Sequence, residues 1–88
     1  MTIQELENKY PEIFENCFDF SVPEHWLPAI DKLCAILTEY AKRKDLDVMR
    51  LSQIKVKFGQ ARIYPELWRG KTEQNWITAC ENSLNKLK

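Results

Sequence analysis

The chain has 88 residues, a formal net charge of zero and an apolar fraction of 44%, which predicts one globular domain over residues 1–88 and excludes a disordered or fibrous chain. No apolar run approaches the roughly 20 residues that span a bilayer, and residues 1–5 lack the basic and apolar regions of a signal peptide. We therefore expect a cytoplasmic protein with no membrane contact.

Charge is segregated along the chain. Eight carboxylates and two lysines give residues 1–41 a formal net charge of −6, whereas nine cations and three carboxylates give residues 42–71 a net charge of +6. Such asymmetry predicts an electrostatic partner, unless the two halves neutralise each other within the fold or between copies in a homo-oligomer.

The first predicted element is a short helix. Thr2 and Glu5 have the spacing of a capping box, so a helix should run from Ile3 to about Lys9. Pro11 disfavours helical dihedrals at the residue before it, which predicts a kink and a new turn there that carries Ile13 and Phe14 inward. The apolar connector at residues 17–23 is predicted to be extended, as an edge strand.

The second predicted helix carries the longest apolar stripe in the chain. Its members recur at spacings of three and four residues, as Trp26, Ile30, Leu33, Leu37 and Tyr40. Since proline is compatible with a helix only near its start, Pro28 places the beginning between Glu24 and Leu27. The cations at residues 42–44 suit the negative end of the helix dipole and mark its end.

Residues 53–64 are predicted to form a β-hairpin, because apolar and basic residues alternate at period two around Gly59. A II′ turn with Gly59 and Gln60 at its centre would set Lys57 opposite Arg62 and Lys55 opposite Tyr64. It would also set Phe58 opposite Ala61 and Val56 opposite Ile63 on an apolar core face that includes Ile54. The preceding Met49 and Leu51 fall on the other parity, which predicts a bulge near Ser52 or Gln53.

A third long helix should end the chain, with Thr72 as its N-cap. Its apolar stripe comprises Trp76, Ile77, Cys80, Leu84 and Leu87. The sequence thus predicts a small single-domain α+β protein in which helices pack on a β-hairpin or small antiparallel sheet, in the order α-α-β-β-α.

Residues 10–64 resemble a small uncharacterised family associated with phages, prophages and bacterial genomes. The resemblance rests on Tyr10-Pro11, Phe14, Trp26 followed by Ile30-Asp-x-Leu-Cys34, and Gln53-Ile-Lys-Val-Lys-Phe-Gly59 with Arg62 and Tyr64. Two positions depart from the family pattern, since Pro23-Glu24-His25 replaces its Gly-Asp-Gly and Ala61 replaces its Leu. The resemblance implies genomic context and fold, and carries no established activity.

No catalytic or metal site is predicted. Cys17, Cys34 and Cys80 lack the close spacing of a metal-ligand pair, and as an odd number they do not suggest a disulfide framework. Adding His25 would complete four zinc ligands in number only. His25 has no motif-placed nucleophile, and no cofactor-binding loop is present, so we predict a non-enzymatic protein with no cofactor.

The candidate binding residues lie on the basic side of the hairpin and in the loop after it. They are Lys55, Lys57, Arg62, Tyr64, Trp68 and Arg69. Cations beside an aromatic residue are typical of surfaces that bind nucleic acid or acidic proteins. Zero net charge disfavours general nucleic-acid binding. We therefore expect a binding module for a host or phage protein with an acidic surface, with weak nucleic-acid binding as the alternative and an unrecognised enzyme as the third hypothesis.

Overall fold

The computed structural model describes residues 1–87, which form three α-helices and a three-stranded sheet. The helices are α1 (Ile3–Lys9), α2 (Leu27–Lys44) and α3 (Lys71–Lys86), and the strands are β1 (Asp19–Ser21), β2 (Leu51–Lys57) and β3 (Gln60–Pro65). The predicted α+β class and element order are confirmed. No helix in residues 1–87 combines the length and apolarity needed to cross a membrane.

The predicted start of α1 is confirmed atom by atom. The backbone N–H of Glu5 donates to the Thr2 hydroxyl, and the Glu5 carboxylate accepts from the Thr2 backbone N–H, both at 3.1 Å. This capping box satisfies two amides that the first helical turn leaves without partners. After the helix, Ile13 and Phe14 are buried as expected.

Helix α2 is the centre of the core. One turn of 3₁₀ helix at Glu24–Trp26 leads into it, and Pro28 occupies its first turn, where a missing N–H is harmless. Its stripe is buried from Trp26 to Leu37, with Leu33 3% exposed and Leu37 fully enclosed, whereas Tyr40 at its end is half-buried. Asp45 ends the helix in the left-handed conformation, at a φ of 54°.

The sheet has the order β1-β2-β3 and is mixed, because β1 runs parallel to β2 while β3 runs antiparallel. The extended connector is thus confirmed as a short edge strand. The predicted bulge is also confirmed, since the β2–β3 register shifts between Leu51 and Gln53. At that shift the Ser52 hydroxyl donates to the Tyr64 carbonyl at 3.0 Å. The bulge lets Leu51 and Ile54 both enter the core.

The predicted hairpin turn was wrong by one residue. Phe58 and Gly59 are the central residues, both at positive φ, and Lys57 pairs with Gln60. Two positive central φ values define a I′ turn in place of the expected II′ turn. Partners therefore shift by two residues: Val56 pairs with Ala61 and Lys55 with Arg62. Phe58, predicted to be buried, is 88% exposed, and Val56 is 45% exposed.

The predicted N-cap of the last helix was also wrong. Helix α3 begins at Lys71 with Gly70 as its N-cap, and the backbone N–H of Gln74 donates to the Gly70 carbonyl. Thr72 lies inside the first turn, next to Glu73, which is drawn inward. Glu73 is 2% exposed, and its carboxylate pairs with the Arg69 guanidinium at 2.8 Å.

One hydrophobic core joins the helices to one face of the sheet. Residues from α1, α2, α3 and all but the first strand belong to it, including Leu6, Leu27, Ile30, Leu37, Leu51, Ile54, Ile63, Ile77 and Leu84. Phe20 of β1 packs at its margin and stacks on Phe14, with ring centroids 5.1 Å apart.

Candidate functional site

The sheet has a second face that contributes nothing to the core. Because side chains alternate along a strand, the residues between the buried ones point away from the helices. We call this surface the polar sheet face; it comprises Asp19, Ser21, Gln53, Lys55, Lys57, Arg62 and Tyr64. Four of the six predicted binding residues, the two lysines, Arg62 and Tyr64, are therefore brought together on one surface.

Cations dominate the polar sheet face. Lys55 stands directly opposite Arg62 across the β2–β3 pair, and like charges in that arrangement destabilise a sheet. Asp19, on the neighbouring strand, relieves part of this repulsion with a carboxylate 3.7 Å from the Lys55 ammonium. Within residues 1–87, neither Lys57 nor Arg62 has an ion-pair partner. The face therefore keeps two cations free to meet an anionic partner.

Tyr64 supplies an aromatic surface beside these cations. The Lys55 ammonium lies 6.0 Å from the centroid of the Tyr64 ring, within reach of a cation–π contact. Tyr64 is half-buried and pairs with Gln53 across the strands. The Lys55 and Tyr64 side chains together form a partly apolar surface, which we call the Lys55–Tyr64 platform.

The hairpin tip adds apolar surface next to the polar sheet face. The core ends at Ile54 on β2 but reaches Ala61 on β3, which is 1% exposed, so the last two residues of β2 and the turn project beyond it. Phe58, in the turn, is 88% exposed, and the Lys57 ammonium lies 5.8 Å from the centroid of its ring. A bulky residue in the left-handed region is an outlier, because that backbone conformation costs about 1 to 2 kcal/mol. The sequence did not indicate an exposed Phe58, because Phe58 lies two residues after Val56 in the apolar half of the alternating pattern, which is typical of a core position.

The two loop residues predicted as binding residues do not belong to the polar sheet face. Trp68 is 49% exposed. Arg69 turns toward the helices, where its guanidinium donates to both Glu73 carboxylate oxygens and to the Asp47 carbonyl. The hydrogen bond to Glu73 is the main reason that the pKa of Arg69 is raised. Arg69 thus joins α3 to the segment that follows α2, and a substitution there would mix folding with binding.

The remaining reactive groups do not converge. Residues 1–87 contain no group of three His, Cys, Asp or Glu side chains placed to hold a metal ion. Burial raises the pKa of the Cys34 thiol, and it raises the pKa of the Cys80 thiol to about 11.

His25 is exposed at the rim of an apolar groove of about 590 Å³ between α2 and α3. Cys80 lines the same groove, and its protonated thiol is a poor nucleophile near neutral pH. Within residues 1–87 the hydrogen bond of the Cys80 thiol goes to the Ala29 carbonyl, at 3.8 Å, and not to the His25 imidazole.

Comparison of the chain with protein-family models, with curated proteins and with solved structures gave no match. The functional assignment therefore depends on the chemistry of the surfaces described above.

Proposed function

We propose that this protein is a non-enzymatic binding module that uses the polar sheet face to engage a protein with an acidic surface. The observation that carries the proposal is the direct opposition of Lys55 and Arg62, flanked by Lys57. The repulsion between these cations weakens the sheet, and the attraction of each cation to an anionic partner would offset it.

An acidic protein fits this surface better than a nucleic acid does. Affinity for nucleic acid comes mainly from neutralising many phosphates, and within residues 1–87 the polar sheet face offers only two cations without an ion-pair partner, Lys57 and Arg62. The exposed apolar tip at Val56 and Phe58 adjoins the basic residues, and an apolar centre with a polar rim is the usual composition of a protein interface. The Lys55–Tyr64 platform is the feature that favours the alternative, weak binding of single-stranded nucleic acid by base stacking.

The resemblance to phage-associated proteins suggests where the partner is found. We propose a host protein, such as a component of a defence or nucleic-acid-processing system, and a phage protein as the second source. A module of this kind would act by occupying a functional surface of its partner.

The test is affinity capture from host lysate with the tagged protein, followed by mass spectrometry and by titration of the purified partner. Lys57→Glu combined with Arg62→Glu should weaken binding at least about tenfold and reduce its salt dependence, because two attractive contacts become repulsive. The matched control, Lys32→Glu with Lys71→Glu, makes the same change in net charge at exposed helix positions. It should bind as the wild type does.

Two outcomes would contradict the proposal. One is a folded Lys57→Glu, Arg62→Glu variant that binds the same protein with unchanged affinity. The other is capture that disappears on nuclease treatment while purified oligonucleotides bind in a salt-dependent manner, which would favour the nucleic-acid alternative.

A further inference from the structure

Phe58 is unfavourable at its position in two respects, its backbone conformation and the exposure of its side chain. Its φ of 53° lies in the left-handed region, which glycine and asparagine occupy readily and bulky residues avoid. Its side chain is 88% exposed, so it gains almost no burial in return. Asparagine before Gly59 would satisfy the same I′ turn without exposing an aromatic ring. The fold therefore gives no reason for a phenylalanine at this position.

The surroundings of Phe58 favour insertion into a partner. The I′ turn between Lys57 and Gln60 contains only two residues, so the backbone that carries the ring is already ordered in the free protein. Binding then does not have to order a loop, which lowers its entropic cost. Val56, 45% exposed, extends the apolar surface, and the Lys57 ammonium lies 5.8 Å from the ring centroid. The tip thus presents an apolar projection with a cation beside it.

We propose that Phe58 is the anchor of the interface, inserting into an apolar pocket on the partner protein whose rim carries carboxylates opposite Lys57 and Arg62. This inference rests on the proposed function of the polar sheet face and adds the chemistry of the pocket to it. A buried aromatic surrounded by polar contacts is the usual form of an energetically dominant interface residue. Backbone strain held at an exposed position is also typical of binding sites.

The decisive variant is Phe58→Asn, because the proposal predicts opposite effects on folding and binding. Asparagine suits the turn, so the urea midpoint of unfolding should rise. Removal of the anchor should weaken binding to the purified partner at least about tenfold, as measured by titration calorimetry. The matched control is Phe18→Asn, which removes another highly exposed phenylalanine, 75% exposed and outside the hairpin. Its affinity should stay within about twofold of the wild type.

The two proposals fail in distinguishable ways. If Phe58→Asn binds normally while Lys57→Glu with Arg62→Glu does not, the polar sheet face is the interface and Phe58 is not its anchor. If both variants bind normally, both proposals fail. A lower urea midpoint for Phe58→Asn would overturn the anchor role, since it would show that the fold depends on the ring.

Two other occupants of the tip are tested with the same variant. Ultracentrifugation of the protein alone would reveal self-association, and sedimentation with vesicles of phosphatidylglycerol and phosphatidylcholine would reveal membrane binding. Either behaviour, abolished in Phe58→Asn while affinity for the purified partner is retained, would assign the ring to that occupant and overturn the proposal.

Discussion

At the scale of single residues, a set of three hydrogen bonds to one carboxylate joins the end of α1 to α2. The Tyr10 hydroxyl donates to Asp31 Oδ1 at 2.6 Å, and the Lys9 ammonium donates to both oxygens of the same carboxylate at 3.1 and 3.2 Å. The Tyr10 hydrogen bond is the main reason that the pKa of Asp31 lies below its usual value, with Lys9 contributing in the same direction. The ionised carboxylate is therefore favoured in the folded protein.

This contact makes the effect of Tyr10→Phe depend on pH. A carboxyl whose pKa is lower in the folded state stabilises the protein above its unfolded-state pKa, and that stabilisation is lost as pH falls through the folded-state value. At pH 7 the variant should lose about 1.5 to 3 kcal/mol of unfolding free energy, because it removes one hydrogen bond to a charged group. The loss should shrink below about pH 4, as Asp31 takes up a proton.

Urea denaturation at pH 7 and pH 3 measures this difference. Tyr64→Phe is the control, because no side-chain hydrogen bond of the Tyr64 hydroxyl is present in residues 1–87. A Tyr10→Phe deficit of the same size at both pH values would mean that the hydroxyl does not act through ionised Asp31.

At the scale of elements, α3 closes the outer edge of the sheet with two side chains. The Glu81 carboxylate accepts from the Ile63 backbone N–H at 2.9 Å, and the side-chain amide oxygen of Asn85, Oδ1, accepts from the Ala61 backbone N–H at 2.7 Å. Glu81 and Asn85 lie one helical turn apart, which matches the two-residue spacing of outward N–H groups along β3. Closing an edge in this way prevents another strand from pairing with it.

Glu81→Ala and Asn85→Ala should each lower the free energy of unfolding by about 1 kcal/mol, because each leaves one backbone donor with water as its only partner. Asn82→Ala, at an exposed position of the same helix, is the control and should change it by less than about 0.5 kcal/mol. Hydrogen exchange gives the specific readout: Ile63 should exchange faster in the first variant and Ala61 in the second. Unchanged protection at both amides would show that the helix does not cap the strand.

Local signals allowed most elements to be predicted from the sequence. The Thr2–Glu5 capping box and the constraint from Pro28 act within one helical turn, and both were confirmed. The hairpin turn was misplaced because Gly59 suits the first central position of a II′ turn and the second central position of a I′ turn equally well.

Contacts between distant residues were beyond local reasoning. The parallel pairing of β1 joins residues 34 positions apart, and nothing local to either strand specifies it. Similarly, the sequence shows Glu73 as an ordinary carboxylate in a first helical turn, and only the fold shows that Arg69 connects it to the Asp47 carbonyl. Four of the candidate binding residues were grouped correctly because the predicted register differed from the observed one by two residues, and an even shift leaves each side chain on the same face.

At the scale of the whole molecule, the three cysteine side chains differ in how deeply they are buried in the core. Cys34 is fully buried, Cys80 is 9% exposed and Cys17 is intermediate. Burial raises the pKa of all three thiols, which lowers the fraction of reactive thiolate at neutral pH. Burial also limits the access of a reagent to the sulfur. Cys34 should therefore react only when the whole domain opens.

Native protein treated with N-ethylmaleimide near neutral pH should be modified first at Cys17. Cys34 should react at least about 100-fold more slowly than in urea, since its exposure requires global unfolding. Peptide mass spectrometry over time separates the three sites, and Cys17→Ser serves as the control that removes the fast phase. Equal rates at Cys17 and Cys34 in native protein would show that the central helix is not locked in the core.

The parallel placement of β1 beside β2 has a consequence for the order of folding. The β2–β3 hairpin closes through a two-residue turn, whereas β1 can find β2 only after the intervening chain, including α2, has brought Asp19 near Gln53. Closing a long loop is entropically costlier and slower than closing a tight turn. The hairpin and α2 should therefore consolidate first, and β1 should be the last strand to dock. Because it contributes only three residues to the sheet, β1 should also be the first strand to detach as the native protein fluctuates.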